Sequence, residues 1–472
     1  MHIQGPTSVQ GNMNLRRMYI GLTTRRLKLQ WFCASIFGTT IVLFFLGGLS
    51  LKKPHFRIPP LLSLSKYKPA RIDSIRPMVH PGRMGQFFKE SNSRRRGSLP
   101  TKQFAILAEM GVISKWNELE DMYRCFLNPV DNSTRPCLVY CPEHDTTVEL
   151  VMTENPNGFQ GKDAAVFGMS PFTLLKSAPR LMRYLSKPTI PASQALVLYS
   201  MESPLRVHKW IERISRAKYH IDFTYLPKSD ISVPYAYYKP GALVNGFEDT
   251  KNHAQGKTGL IAWMGSNCAK EVFWPRMEFI QDLGRHLPLD TYGKCGNLTC
   301  LPRLSTKCVN LISTYKFYLA VENSECREYI TEKFWESCLL NGVVPIVYGS
   351  PKADFEKLAP PNSYIHVSDF ESVKELADYI IKVDQSDELY NSFFEWRKLG
   401  SVIVTYPKMQ PNYFCNILPL LKKTAEAKFV HESSWYNSCR GNITRRFNIS
   451  QVPSLKDWEP WKLGINDYTN GY

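Results

Sequence analysis

Between Tyr315 and Gly349 two apolar runs enclose one helical stretch, an order that leaves little choice of architecture. The run Tyr315 to Val321 has the length of a buried strand and ends in polar Glu322, Asn323 and Ser324. After a short turn, Tyr329 leads into a helix whose first turn carries Thr331, Glu332 and Lys333. Gly342 is a natural residue to follow a helix end, and Val343 to Tyr348 reads as a second buried strand. Polar groups at the carboxyl end of a strand, beside a helix N-terminus, make a pocket that favours anions. A lysine in that first turn opposes the helix dipole, so an anionic ligand would rationalise Lys333, and Glu332 beside it suits sugar hydroxyls. A Glu–Lys pair on a solvated helix face explains the same two residues equally well.

The alternation extends in both directions from about Pro136 and is the signature of an α/β fold. Ala164 to Phe167 and Ala195 to Tyr199 read as buried strands, with helical spacing over Leu174 to Leu185 between them. A second series begins with Gly259 to Met264 and continues through the 315–349 unit. The polar run from Glu248 to Lys257 separates the two. Two such series in tandem predict two Rossmann-like domains facing a cleft, with ligands at the carboxyl ends of the strands. Ser372 with Glu375 predicts a capped helix whose apolar stripe is Leu376, Ala377, Ile380 and Ile381. There is no internal repeat.

The formal net charge of +17 over 472 residues invites a nucleic-acid reading, but its distribution argues against one. Up to Arg124 there are 20 Lys/Arg against 6 Asp/Glu, whereas the remainder holds 39 against 36. The basic excess, including Arg94, Arg95 and Arg96, belongs to an N-terminal extension and reads as a solvated stalk. Within it, Trp31 to Leu51 is 21 residues without a charge, long enough to cross a bilayer as a helix. Basic residues flank both sides, so charge alone does not orient it. No cleavage-site pattern follows, which favours an uncleaved anchor. Sequons at Asn132, Asn297, Asn442 and Asn448, with eleven cysteines beyond the span, favour a lumenal, oxidising compartment for the body. The resulting plan is a cytoplasmic tail (1–30), a signal anchor (31–51), a stem (52–130), two Rossmann-like domains (131–247 and 258–425) and a C-terminal tail (426–472).

The 315–349 segment resembles the donor-binding motif of the α1,3-fucosyltransferases, glycosyltransferase family 10, whose members read close to YKFxLAFENS…DYITEKFW…VPVVxG. Val321, Cys338 and Tyr348 are mild departures. The resemblance extends to Tyr364 to Phe370, Tyr390 to Trp396, Gly265 to Cys268 with Arg276, and Asp290 to Gly293, and covers roughly residues 135 to 420. It implies a GT-B arrangement and an inverting enzyme that uses GDP-β-L-fucose and acts on GlcNAc of glycoprotein glycans in the Golgi membrane. Carried over by motif, Arg276, Asn323, Tyr329, Glu332 and Lys333 line the donor site. Lys333 and Arg276 neutralise the departing diphosphate, for which the planar fork of arginine is well suited. Inversion needs one general base, and Tyr199-Ser-Met-Glu-Ser-Pro204 is similar to the family's strand-end Glu followed by Pro, which nominates Glu202. In Tyr225 to Tyr235, Leu226 stands where the family has Arg, and Ser203 stands where core-type members often have Cys.

Two acceptors compete: the core GlcNAc of an N-glycan, toward which the pattern around Cys268, Cys295, Cys300 and Cys308 leans, and GlcNAc of an antenna. A non-catalytic sugar-nucleotide-binding relative and a protein O-fucosyltransferase are the alternatives from other classes. Cys295, Cys300 and Cys308 lack the spacing and the histidines of a zinc set, so disulfides are expected. The family's local Cys-x-x-Cys is absent at Cys415, for which Cys439 is a candidate partner, and an odd number of lumenal cysteines leaves at least one unpaired. No Asp-x-Asp run is present and no cofactor is expected, although stimulation by Mn or Mg is left open.

Overall fold

The computed structural model describes residues between Thr101 and Asp467, apart from 110–120, 129, 132, 169–170, 188–189, 208–213, 242–250, 269–271, 302–304, 407, 424–425, 441–453 and 465–466. The expected cytoplasmic tail, the span over 31–51 and the sequons at Asn132, Asn442 and Asn448 lie outside the described residues; Asn297 is exposed. Among the described residues no helix is long and apolar enough to cross a membrane.

Two mostly parallel sheets form the scaffold. The first contains β1 (Thr101–Leu107), β2 (Cys137–Cys141), β3 (Thr146–Thr153), β4 (Ala164–Phe167), β5 (Ala195–Ser200), β7 (Ile221–Thr224) and β8 (Ile231–Ser232). Their order is β2-β3-β1-β4-β5-β7-β8, and only the β2–β3 pairing is antiparallel. β4 and β5 are buried along their whole length, as strands covered on both faces must be, so they appear in the sequence as unbroken apolar runs. β1 was not expected. Residues 101–107 fall within the stem assigned to 52–130, yet they form the strand between β3 and β4, with Phe104 to Leu107 completely buried. The preceding basic, proline-rich sequence disguises a run of only five apolar residues.

The second sheet contains β10 (Gly259–Met264), β11 (Leu289–Tyr292), β12 (Tyr315–Val321), β13 (Val344–Tyr348) and β14 (Ile365–His366). All are parallel, in the order β11-β10-β12-β13-β14. From β10 the chain crosses to one side to make β11 and then to the other to make β12. The switch point therefore lies between β10 and β12, where doubly wound sheets open a crevice at their carboxyl ends. The crossover helices are Arg276–His286, Thr306–Ser313, the 332–340 segment and Lys352–Leu358. The helix Val373–Asp384 is capped by the Ser372 side chain, which accepts from the Glu375 amide at 3.1 Å. Its buried stripe is Leu376, Ala377, Ile380 and Val383, while Ile381 stays outside. Positions 376, 380 and 383 repeat at helical spacing, and 381 is rotated off that face.

The chain then returns to the first sheet. β15 (Gly400–Val404) pairs antiparallel with β9 (Ala236–Pro240). The 3₁₀ segment Pro411–Lys423, which the sequence placed within the 258–425 unit, packs Phe414 against Tyr199 and Phe223 under the first sheet. The segment beyond 426 is no simple tail: β16 (Lys428–Phe429) pairs with β6 (Lys218–Tyr219). Among the described residues five disulfides join Cys125–Cys137, Cys141–Cys415, Cys268–Cys295, Cys300–Cys308 and Cys326–Cys439. Cys415 thus takes Cys141 rather than Cys439. The expected unpaired cysteine is Cys338, which is buried.

Candidate active site

The carboxyl ends of β5 and β12 supply two loops that touch. β5 runs into Met201, Glu202 and Ser203, and β12 into Glu322, Asn323 and Ser324. The Tyr329 hydroxyl donates to Glu202 Oε2 at 2.8 Å. The hydroxyls of Ser203 and Ser324, both completely buried, lie 2.8 Å apart. Ser324 already donates its proton to Asn323 Oδ1 at 2.7 Å, so Ser203 is the donor between the two serines. Serine at 203 is thereby a polar link between the two loops.

Glu202 is held at several points. Its carbonyl accepts from Ser200 Oγ and from the Trp435 indole, each at 2.9 Å, and the preceding carbonyl of Met201 accepts from the Tyr235 hydroxyl at 2.8 Å. Arg206 Nε stands 4.0 Å from Oε2. Oε1 takes no hydrogen bond among the described residues, and the side chain is about one-third exposed at 36%. A fixed carboxylate with one oxygen engaged, on a side chain still about one-third exposed, is equipped to accept a proton.

Tyr329 is buried against the rings of Tyr225 and Tyr235. Burial and the nearby carboxylate of Glu202 push its phenol well above the ordinary value, so it stays a hydrogen-bond donor. The turn before it places Glu328 in the left-handed region at φ 57°. Two contacts hold that conformation: the Glu328 amide donates to the Asp354 carboxylate, and Lys357 Nζ bonds Glu328 Oε1 at 2.7 Å. Leu226, which stands where the family it resembles has arginine, is 1% exposed and packs into the apolar core, so its side chain presents nothing polar at that position.

The sequence left Lys333 between two explanations, and its surroundings in the folded chain involve a third residue. Glu322 is 2% exposed and its carboxylate accepts from the Thr331 amide at 3.0 Å and the Thr331 hydroxyl at 2.6 Å. Lys333 Nζ bonds Glu322 Oε2 at 2.9 Å, Thr331 Oγ1 at 2.8 Å and Glu332 Oε1 at 3.4 Å. Burial raises the Glu322 carboxyl, and the charge of Lys333 is the principal opposing influence. Gly349 closes the back of this group. With φ 132°, a Cβ there would stand 2.6 Å from Glu322 Cβ, so only glycine lets the end of β13 approach so closely. Beyond Lys333 the helix widens: Glu332–Phe334 is α-helical, and Trp335–Leu340 is a π-helix in which Cys338 Sγ reaches the Lys333 carbonyl at 3.0 Å. Such widening recurs at functional sites.

Arg276 is a buried residue, not one on a helix surface: it is 3% exposed. Its Nη1 donates to the Val321 carbonyl at 3.3 Å and its Nη2 to the Asn267 carbonyl at 2.6 Å. It therefore ties the ends of β10 and β12 together at the switch point. The guanidinium also lies 5.7 Å from the Trp263 ring centre, and burial lowers its pKa to about 10, so it remains a cation at neutral pH. Its Nε has no partner among the described residues. Asn323 is half-buried and its carbonyl accepts from the Phe273 amide at 2.9 Å.

Of the six site residues named from sequence, Glu202 and Tyr329 bond directly, Glu332 and Lys333 share one ion-pair group, and Arg276 and Asn323 stand at the end of β12. Sequence reasoning gave Glu322 and Ser324 no part beyond a polar strand end, and gave Trp435 none. A carboxylate at a strand end, eleven residues before a first-turn lysine, was a readable signal for Glu322. Nothing in the sequence near Trp435 announces its contact with Glu202. Among the described residues no group of three His, Cys, Asp or Glu side chains is placed to hold a metal ion.

Residues 254–436 match the family model described as glycosyltransferase family 10 (fucosyltransferase) C-term. Over 217 residues the chain is 39% identical to glycoprotein 3-alpha-L-fucosyltransferase A of Drosophila melanogaster, covering 45% of this chain and 41% of that protein. It is 37% identical to alpha-(1,3)-fucosyltransferase 7 of Bos taurus, covering 44% and 56%. The chain spans about half the length of the curated relatives it matches. A solved structure described as alpha1,3-fucosyltransferase with GDP-fucose aligns with a TM-score of 0.42 and 16% identity, over 75% of this chain and 96% of that one.

Proposed function

We propose, with residues 254–436 matching the C-terminal domain of glycosyltransferase family 10 as the premise, that this chain is an inverting α1,3-fucosyltransferase. It moves L-fucose from GDP-β-L-fucose to O3 of a GlcNAc on glycoprotein glycans, with the N-glycan core as the preferred acceptor. The observation that carries this reading is the hydrogen bond of Tyr329 to Glu202, which brings the motif-bearing loop of the second sheet onto the one strand-end carboxylate nominated as base. The glycoprotein acceptor is supported by the Drosophila relative's name, and the core preference by the paired cysteines around Cys295 and Cys300.

Glu202 acts as general base. Tyr329 holds Oε2, leaving Oε1 to take the proton of the acceptor's O3 hydroxyl as that oxygen bonds to C1 of fucose. The bond from C1 to the diphosphate breaks on the opposite face, and GDP leaves with its electron pair. Lys333 and Arg276 supply positive charge where negative charge grows, and Asn323 and Glu332 meet hydroxyl and amide groups of the donor. The pairing with Glu322 keeps the Lys333 ammonium in one place, which reduces the reorganisation needed when the diphosphate charge develops. Mn or Mg stimulation enters this reading only as an additional screen of the diphosphate.

For topology the same reading places residues 1–30 in the cytoplasm, 31–51 in the Golgi membrane and the rest in the lumen, as a single-pass type II protein. The five disulfides support an oxidising compartment. The test is the full chain, purified from a secretory expression host, given GDP-fucose with N-glycan cores, antennary LacNAc structures and folded protein domains. Fucose on the core GlcNAc is the expected outcome. Transfer to a protein hydroxyl would replace the acceptor assignment, and neither transfer nor hydrolysis of GDP-fucose would overturn the enzyme reading.

A further inference from the structure

Residues 428–440 touch both halves of the candidate site, and Ser438, Cys439 and Arg440 lie past residue 436, where the family match ends. The segment starts on the first sheet's side. β16 pairs with β6, and the amides of Val430 and His431 donate to the carbonyls of Ala217 and Ser215 at 2.9 and 3.0 Å. Trp435, 1% exposed, then aims its indole N–H at the Glu202 carbonyl, 2.9 Å away. Four residues later the chain has reached the other loop. Cys439 is disulfide-bonded to Cys326, and the two residues form an antiparallel bridge flanked by Arg327 N to Ser438 O and Arg440 N to Glu325 O, both at 2.8 Å. Arg440 Nη1 also bonds the buried carboxylate of Glu325 at 3.0 Å.

Cys326 lies midway between Asn323 and Tyr329, so the loop between those two residues is fastened at its centre to a segment whose other end fastens Glu202. We propose that Trp435 to Arg440 is a positioning clamp: Trp435 sets the loop that carries Glu202, and the Cys326–Cys439 and Glu325–Arg440 links set the loop that carries Asn323 and Tyr329. None of these clamp residues needs to touch substrate. They act by fixing the spacing between proton acceptor and donor-side loop, and displacement of reacting groups by an ångström is enough to slow a reaction severely. A disulfide, an ion pair and two backbone hydrogen bonds converging on the five residues 324–328 also lower the ordering cost of donor binding.

The proposal rests on the fucosyl-transfer reading for its kinetic arm and is independent of it for its structural arm. Trp435→Phe keeps an aromatic ring, smaller than the indole, and removes the N–H. It is expected to lower kcat roughly 10- to 100-fold while KM for GDP-fucose stays near wild type. Arg440→Gln keeps the disulfide and removes the ion pair. It is expected to raise KM for GDP-fucose by up to about tenfold, with a smaller loss in kcat. The double variant Cys326→Ser, Cys439→Ser should do the same more strongly; if it does not fold, Arg440→Gln decides. Hydrogen exchange of the full chain supplies the arm that needs no activity: amides of 201–203 should exchange faster in Trp435→Phe, and those of 324–331 faster in Arg440→Gln. Unchanged exchange in both variants, or equal losses of kcat and KM without this split, would overturn the clamp. An inactive wild type would sink the transfer reading alone, because the exchange pattern still judges the clamp.

Discussion

Glu202 gathers more specific contacts than its place in a turn would suggest. One carboxylate oxygen is engaged by Tyr329, the other has no partner among the described residues, and the backbone carbonyl is held by Ser200 and Trp435. Glu202→Gln preserves the shape and the acceptor for Tyr329 but removes the basic oxygen. Turnover should fall by about 10²- to 10⁴-fold, the range of a lost general base, with KM for GDP-fucose little altered. Steady-state kinetics with a defined GlcNAc acceptor measures this, and wild-type kcat in that variant would move the base elsewhere. At Lys333 the identity of the residue pointed to an anion, but the anion nearest to it in the fold is Glu322, already part of the chain. The lysine is therefore held in place before any ligand arrives.

The strand-to-loop junctions at the carboxyl end of the second sheet depend on groups a few residues away. β14 ends at His366, which is buried. Its Nδ1 accepts from the Ser368 amide at 3.1 Å, so the proton sits on Nε2 and is donated to the Ser350 carbonyl at 3.2 Å. Ser350 adjoins Gly349, which backs onto Glu322. Burial lowers the pKa of His366 to about 4, so the folded chain keeps the ring neutral while the unfolded chain protonates it near 6.5. The stabilisation is complete above about pH 6.5 and is lost as pH falls toward about 4, amounting to roughly 3 kcal/mol over that window. Denaturant unfolding at pH 7 and pH 4 should show His366→Leu with a correspondingly smaller acid loss than wild type. Equal acid losses in the two proteins would mean that this ring is not the group responsible. The 332–340 helix makes a related point: its start and its stop at Gly342 were readable, but its passage from α to π was not. That widening depends on contacts such as Cys338 to the Lys333 carbonyl, which spacing in sequence does not specify.

At the scale of the whole molecule, the return of the chain to the first sheet decides how the site is held. The Cys141–Cys415 disulfide closes a loop of 274 residues that contains the entire second sheet. Removing it as Cys141→Ser with Cys415→Ser should cost about 5 kcal/mol, because the unfolded chain regains the freedom of a very long loop. Thermal unfolding without reductant should show a lowered midpoint, and an unchanged midpoint would mean that the β15–β9 and β16–β6 pairings and the aromatic contacts of Phe414 secure the return without it. Sequence by itself determined the α/β class, the two tandem series, five of the strands nearly to the residue, and the resemblance that named Glu202, Arg276, Asn323, Tyr329, Glu332 and Lys333. These features are local, written in apolar periodicity and in motifs of a few consecutive residues. Only the tertiary structure decided that β1 lies inside the expected stem, that Cys415 joins Cys141, and that Trp435 and Cys439 brace the two loops. Each of those pairs residues far apart in the chain or turns a short ambiguous run into a buried strand. Such pairings come from how the sheets and the returning segment pack, so no window along the sequence contains them.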